Sequence, residues 1–282
     1  MQLVPCCLDP AQRATMEQLA GSGFAVPKYR EEGLLTLLDI LRAFPALQLS
    51  LEQFLASTVP LRRRYYSISS APPDSLSITV GAVNEQRPDG LKPYRGICSW
   101  PLCLCKPGDD IFARVVESSF RLPQNPRVPV IMVCAGTGIA PFRSFWRARP
   151  SRRMYLYFGC RDQTHRLHHK ELQSLVEHKR LELRVAMSRS GPTQKYVQHL
   201  LVEDAQAINA LLRPDDPGDQ PPAHIYVCGR ASSVGVGVHT ALQDILKGAG
   251  ECIPPDDCHV CVHVPCIVAA SHFPYFCDPI CD

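Results

Sequence analysis

An apolar run that stops at two closely spaced glycines and restarts behind a proline leaves a chain few ways to fold. Residues 131–146, Ile-Met-Val-Cys-Ala-Gly-Thr-Gly-Ile-Ala-Pro-Phe-Arg-Ser-Phe-Trp, are such a run. It predicts a buried strand, a turn at Gly136 and Gly138, and an amphipathic helix with Pro141 in its first turn, where the missing N–H costs nothing. Together these pieces make a phosphate cradle. Glycines let the backbone approach an anion without a Cβ clash, and the first N–H groups of the helix, aided by its dipole, point at that anion. The same pattern also serves as a plain tight strand-to-helix connection, so its meaning depends on the rest of the chain.

Downstream of Pro123, Pro126 and Pro129, buried strands alternate with helices. Strands are expected at 130–133, 154–158, 181–187 and 224–227, and helices near 142–149, 170–178, 194–201, 205–212 and 236–246. That alternation is the pattern of a doubly wound parallel sheet, whose ligand crevice lies at the carboxyl ends of its strands. Upstream the texture differs. Residues 10–22 and 32–43 have helical apolar spacing, 51–55 suggests another turn, and from 65 to about 116 short β-rich runs (66–69, 76–83, 111–116) are separated by turn residues. The expected organisation is a small helical cap over 1–62, an antiparallel β region over 63–125, a parallel-sheet domain over 126–250 and a Cys-rich tail over 251–282.

With 282 residues, 45% of them hydrophobic, the chain can bury one or two substantial cores. A dispersed net charge of +3 argues against nucleic acid as a partner and mildly favours anionic ligands. No apolar run approaches the roughly 20 residues of a membrane span, and the start lacks a signal-peptide pattern, so a soluble cytoplasmic protein is expected. Eight of the 14 cysteines are scattered through residue 228 and six crowd into 252–281; in such a chain most are reduced thiols. Cys258, His259, Cys261, His263 and Cys266 have the composition of a zinc site, but all fall within nine residues. That crowding favours an irregular segment with no metal.

Several strand ends carry polar chemistry. Arg64-Tyr65-Tyr66-Ser67 offers a cation for a phosphate and a tyrosine face for a flat heteroaromatic ring, although the tetrad by itself reads better as an edge strand with a solvated arginine and core tyrosines. Gly96-Ile97-Cys98-Ser99 reads either as an anion-binding helix start or as a capped helix. Phe158-Gly159-Cys160-Arg161 and Tyr226-Val227-Cys228-Gly229 end two strands with glycine beside a cation or a thiol. Ser188, Arg189, Lys195 and Tyr196 supply the cations and hydroxyls that a ribose phosphate needs, or a helix cap and solvated basic residues. Four consecutive strand ends presenting Gly, Arg, Ser or Cys at one rim of one sheet are poorly explained by chance.

In this order, Arg-x-Tyr-Ser, Gly-Ile-Cys-Ser, Ala-Gly-Thr-Gly-Ile-Ala-Pro-Phe-Arg-Ser-Phe-Trp, Phe-Gly-Cys-Arg, Ser-Arg…Lys-Tyr-Val-Gln and Tyr-Val-Cys-Gly resemble the FAD/NADPH half of the diflavin reductases. That family includes microsomal cytochrome reductase, methionine synthase reductase and the reductase part of nitric oxide synthase; residues 65–72 and 120–146 look most like the last. The resemblance covers roughly residues 10–248 and implies a ferredoxin-reductase-like fold of class α/β plus all-β. An incomplete antiparallel FAD-binding barrel with a small helical cap would be followed by a doubly wound NADP-binding domain. It implies FAD contacts from Arg64, Tyr66, Ser67, Thr79, Gly96, Ile97, Cys98 and Ser99. Among these, Arg64 would meet the pyrophosphate, Tyr66 the isoalloxazine, and Ser67 the region near the flavin's reactive nitrogen. It implies NADPH contacts from Gly136, Thr137, Gly138 and Arg161, with Ser188, Arg189, Lys195, Tyr196 and Gln198 about the 2′-phosphate. Cys228 would lie beside the nicotinamide, making Ser67 and Cys228 the catalytic pair.

The implied activity is hydride transfer from NADPH to FAD, with single electrons passing on to an FMN-containing domain or protein and from there to a haem protein. A truncated isoform that binds NADP(H) or a partner without retaining FAD is the alternative, and a dehydrogenase acting on a small substrate would need a substrate domain. The sequence departs from the family in several places. Strands that precede the helical cap are lacking, so the barrel is expected to have unpaired edges; no FMN or haem segment is present, so the onward carrier is expected to be on another chain or absent. Arg230 stands where the family has Asp, Lys195 directly precedes Tyr196, and the tail replaces the expected terminal aromatic. Impaired nicotinamide gating is the expected consequence.

Overall fold

A computed structural model describes residues 3–21, 37–58, 60–61, 63–86, 93–149, 153–191, 193–218, 220–230, 234–248 and 260–263. Two compact units divide the chain: Met1–Arg63 with Ala82–Leu104, and Arg64–Gly81 with Cys105–Asp282.

The first unit contains helices α1 (Pro10–Gly21), α2 (Leu37–Ala43) and α3 (Leu51–Ala56), a short ladder of β1 (Asn84–Glu85) on β2 (Tyr94–Arg95), and α4 (Ser99–Leu104). Its core gathers Cys6, Cys7, Met16 and Leu47 under Ile40, Leu41 and Phe44. Asp9 accepts the Gln12 N–H at 2.9 Å before α1, and the Arg13 guanidinium donates twice to the Cys7 carbonyl, at 2.9 and 2.6 Å. Ser50 and Gln53 form a reciprocal capping box on α3. The helices expected at 10–22 and 51–55 are therefore present. For the helix expected at 32–43, residues 37–43 are helical and 32–36 lie outside the described residues.

The second unit is built on a parallel sheet: β3 (Val130–Ala135), β4 (Met154–Cys160), β5 (Glu182–Met187), β6 (His224–Cys228) and β7 (Val260–His263), in the order β5-β4-β3-β6-β7. Period-two alternation sends Val130, Met132, Cys134, Leu156, Phe158, Tyr226 and Cys228 to one face. There they pack on α5 (Ala140–Ala148) and α6 (His169–Glu177) through Phe142, Phe145, Trp146, Leu172 and Leu175. Ile131, Val133, Tyr155, Tyr157, Ile225 and Val227 face the other way. On that side lie α7 (Val197–Glu203), α8 (Ala205–Leu212) and α9 (Val236–Gly248). With helices on both faces, the central strands are continuously apolar, as the sequence pattern required. Chain order reverses between β3 and β6, and that switch point opens a crevice at their carboxyl ends.

Four expectations need correcting. Residues 111–116 form no strand; they have neither helix nor ladder among the described residues, and Ile111, Phe112, Val115 and Val116 are exposed. Composition alone predicted a strand there, but a strand needs a neighbour to satisfy its backbone. The runs at 66–69 and 76–83 meet only in an isolated antiparallel bridge, Ile68 to Ile78, backed by the Ser69 N–H to the Ser77 carbonyl at 2.8 Å. The helix expected from 194 begins at Val197, because Tyr196 is its extended N-cap and donates its backbone N–H to His199 Nδ1 at 3.3 Å. Within the tail expected to be irregular, Val260–His263 adds a fifth parallel strand, pairing Ile225 with Val260 and Cys228 with His263. An uncovered β6 would leave a row of unpaired backbone groups, which this strand removes.

Glu171 binds α5 to α6. Its carboxylate accepts from Arg143 Nε at 2.8 Å and Trp146 Nε1 at 2.9 Å, with Arg147 Nη1 at 3.4 Å. Burial raises the Glu171 carboxyl, but the hydrogen bonds from Trp146 and Arg143 and the charges of both arginines outweigh it and hold the group below the usual range. Glu171→Ala should therefore lower unfolding stability by about 1–3 kcal/mol at neutral pH, measured by chemical denaturation. Because the folded-state value is depressed, that contribution is present above the unfolded-state value of about 4.3 and disappears as pH falls below it. The stability gap between wild type and variant should narrow accordingly.

Candidate functional site

At the switch point the chain leaves β3 through a 3-10 turn, Gly136–Ile139, directly into α5. Gly136 has φ +54°, a left-handed conformation that favours glycine. Gly138 is buried against the end of β6, where any Cβ would collide with the Cys228 carbonyl oxygen and lie 2.9 Å from its carbon. Thr137, between them, is exposed at the rim. Ile139 and Phe142 are fully buried behind the turn and fix the direction in which α5 starts. The result is an open cradle of backbone N–H groups at a nine-residue helix start, with a hydroxyl at its lip.

Two neighbouring strand ends continue the rim. Ser188 and Arg189 follow β5 and are pinned to the end of β4 by the Ser188 N–H on the Cys160 carbonyl (3.0 Å) and the Arg189 N–H on the Arg161 carbonyl (2.7 Å). The exposed side chains of Arg161 and Arg189 thus emerge from adjacent backbone positions, and among the described residues neither has an ion-pair partner. Lys195 is engaged elsewhere: its Nζ lies 2.7 Å from Glu203, whose carboxyl is held low by that contact and by Arg184. Tyr196 donates its hydroxyl to Gln194 at 2.6 Å and meets His199 edge-on with ring centroids 5.8 Å apart. Gln198 lies where a Cβ on Gly237 would touch it, on the side that faces α9.

Cys134 and Cys228 are paired across β3 and β6, and both are buried. Burial pushes the Cys228 thiol up to about 12; Cys134 is held well above the ordinary range by burial first and by Cys228 second. Near neutral pH both sulfurs keep their protons, inside the apolar cluster that packs on α5 and α6.

The expected flavin residues fall in both units. Arg64, Tyr66, Ser67 and Thr79 belong to the stretch Arg64–Gly81 and share a unit with the cradle. A Cβ on Gly81 would lie 3.2 Å from Thr137 Cγ2, and Thr79 Oγ1 is 3.5 Å from His168 Nε2. Gly96, Ile97, Cys98 and Ser99 belong to the other unit. There the Ser99 hydroxyl accepts the Val83 N–H at 3.1 Å and the Gly96 N–H donates to the Val83 carbonyl at 2.9 Å. Ser99 therefore fastens the β1–β2 ladder, a role that neither alternative drawn from the sequence anticipated. Sequence reading also passed over Arg143, Arg147 and His168. Two arginines four residues apart in the helix after the glycine turn were the available signal, because that spacing puts both on one face.

Residues 1–100 match the FAD binding domain family, and residues 132–234 match the Oxidoreductase NAD-binding domain family. The chain is 37% identical over 270 residues to the bifunctional cytochrome P450/NADPH–P450 reductase 1 of Bacillus subtilis (strain 168), covering 89% of this chain and 24% of that protein. It is 33% identical over 265 residues to a nitric oxide synthase-like protein of Bombyx mori, covering 88% and 24%. Over 240 residues it is 34% identical to the nitric oxide synthase of Drosophila melanogaster, covering 79% and 17%. The chain spans a quarter or less of the length of these relatives. No described helix is long and apolar enough to cross a membrane.

In native protein at about pH 8, an alkylating reagent should label the exposed Cys103 and Cys105 and spare Cys134 and Cys228, as read by mass spectrometry of peptides. Both buried thiols hold protons that an unfolded chain loses above about pH 8.5, so unfolding stability should fall as pH rises past that value. Separately, Gly138→Ala should abolish nucleotide binding or folding through its clash with the Cys228 carbonyl. Thr137→Ala, at an exposed position with no buried contact to lose, should fold with stability within about 0.5 kcal/mol of wild type by chemical denaturation.

Proposed function

Because this chain belongs to the family of FAD/NADPH reductase regions found in the diflavin reductases, we propose that it is an oxidoreductase module that takes a hydride from NADPH onto FAD. From there single electrons go to an FMN-containing partner and on to a haem protein, in the cytoplasm. When bound, NADPH supplies the hydride and FAD accepts it and divides the electron pair. The chain's own residues bind, orient and exclude.

Gly136, Thr137, Gly138 and the start of α5 hold the NADPH pyrophosphate. The carrying observation is the fit of that turn: a left-handed glycine and a glycine with no room for a Cβ bring the backbone itself to the edge of the crevice at a helix start. Arg161, Ser188, Arg189 and Tyr196, with Gln198 behind them, receive the 2′-phosphate end. Lys195 contributes by exchanging its Glu203 partner for phosphate. Cys228 lies beside the nicotinamide as a neutral thiol and adds no charge next to the ring. Arg64 meets the FAD pyrophosphate, Tyr66 packs on the isoalloxazine, Ser67 donates near its reactive nitrogen, and Thr79, Gly96, Ile97, Cys98 and Ser99 complete the wall.

Exposure of Ile111, Phe112, Val115 and Val116 favours a second reading, in which the chain binds NADP(H) or a partner without retaining FAD. The colour of purified protein separates the two. A yellow preparation, or one that turns yellow with added FAD and bleaches with NADPH, supports hydride transfer; a colourless one that still binds NADPH supports the second reading. Arg189→Ala should weaken NADPH binding about tenfold or more while leaving NADH binding within about twofold, because a guanidinium on a phosphate is a charge-assisted contact that NADH does not make.

A further inference from the structure

Within the second unit, the stretch Arg64–Gly81 meets the nucleotide cradle or the helices that follow it at four places. The Arg143 guanidinium donates through Nη1 to the Ser69 carbonyl at 3.1 Å and through Nε to Glu171 at 2.8 Å. Arg147 pairs with Asp74 at 2.9 Å. Thr79 reaches His168, and Gly81 abuts Thr137 of the cradle itself. Of the two ion pairs here, Arg143–Glu171 is the less exposed, with side chains 18% and 28% accessible against 33% and 44% for Arg147 and Asp74. Ser69 is buried and follows Ser67 by two residues, on the same side of an extended run.

We propose that Arg143 is a positioning residue for the flavin, clamping the backbone that carries Tyr66 and Ser67 onto α5, the helix whose start cradles NADPH. This rests on the functional reading given above and adds a coupling residue to it. The physical argument is that a planar guanidinium has donors in a fixed fork, so one side chain can hold a carboxylate and a carbonyl at once and set the angle between them. Glu171 keeps that fork from rotating and is itself fixed by Trp146 Nε1. A Ser69 carbonyl held in this way sets the register of Tyr66 and Ser67 against Gly136–Ile139 before either nucleotide arrives. Preorganisation of this kind lowers the ordering cost of binding and holds two reacting rings at a working distance.

The test compares wild type with Arg143→Met and Arg143→Lys. Amide exchange of the nucleotide-free protein reads the clamp directly, and titrations with FAD and with adenosine 2′,5′-bisphosphate read the two sites separately. In Arg143→Met the Ser69 and Ser77 amides should exchange about tenfold faster or more, with β3 amides unchanged, since a charged hydrogen bond is lost. The FAD dissociation constant should rise about tenfold or more, while that for the bisphosphate stays within about twofold. Arg143→Lys should restore little, because a compact ammonium cannot span both partners. If Arg143→Met does not fold, Asp74→Asn at the exposed tie should show the same selectivity with a shift of about twofold. Unchanged FAD affinity in Arg143→Met, or equal loss at both sites, overturns the proposal. Wild-type protein that binds the bisphosphate but no FAD overturns the functional reading along with it, and the wild-type titration tells this apart from failure of the clamp alone.

Discussion

The second unit turns on a contact that admits no side chain: the Gly138 α-carbon against the carbonyl of Cys228. It brings the ends of β3 and β6 together where the strand order reverses, so the crevice there is walled by backbone. Everything around it enforces that approach. Cys134 and Cys228 face the same side in register, Ile139 and Phe142 fill the space beneath the turn, and Phe120, Phe145 and Tyr226 form an aromatic cluster with centroids 5.2–5.6 Å apart. The Tyr226 hydroxyl reaches the Arg121 carbonyl at 2.7 Å and so closes the cluster on the segment entering the sheet.

Electrostatics divides the second unit in two. On one sheet face, Glu171 gathers Arg143, Arg147 and Trp146 and passes that order to Arg64–Gly81. On the other, Arg184 bridges Glu203 and Asp204, Asp204 accepts the Tyr157 hydroxyl, and burial first, then Asp204, pushes that phenol well above its usual range. The first network ties α5 and α6 to the stretch Arg64–Gly81. The second braces α7 and α8 at the β5 edge, and there it holds Lys195 in a pair with Glu203.

Legibility in the sequence followed the range of the interactions involved. The parallel sheet was readable because strands covered on both faces are uniformly apolar, and the helices because their apolar spacing repeats within one turn. Gly136 and Gly138 were readable as a tight turn because turn chemistry is local. Residues 111–116 and the start of the helix at Val197 were misjudged: a strand exists only with a partner, and Tyr196 looked helical until its N-cap geometry excluded it. The role of Ser99 was hidden because its partner, Val83, lies sixteen residues away. Glu171 was invisible for the same reason, being an ordinary acidic residue in an ordinary helix.

By its sequence alone this chain determined its parallel sheet, its glycine turn and the polar residues at its strand ends, all consequences of local sterics and of periodic burial. Only the tertiary structure decided that Arg143 would turn toward Ser69, that Lys195 would face Glu203, and that residues 260–263 would extend the sheet beside β6. Those outcomes depend on pairings between residues far apart in the chain, and a pairing has no signature in either partner until the fold brings the two within hydrogen-bonding distance.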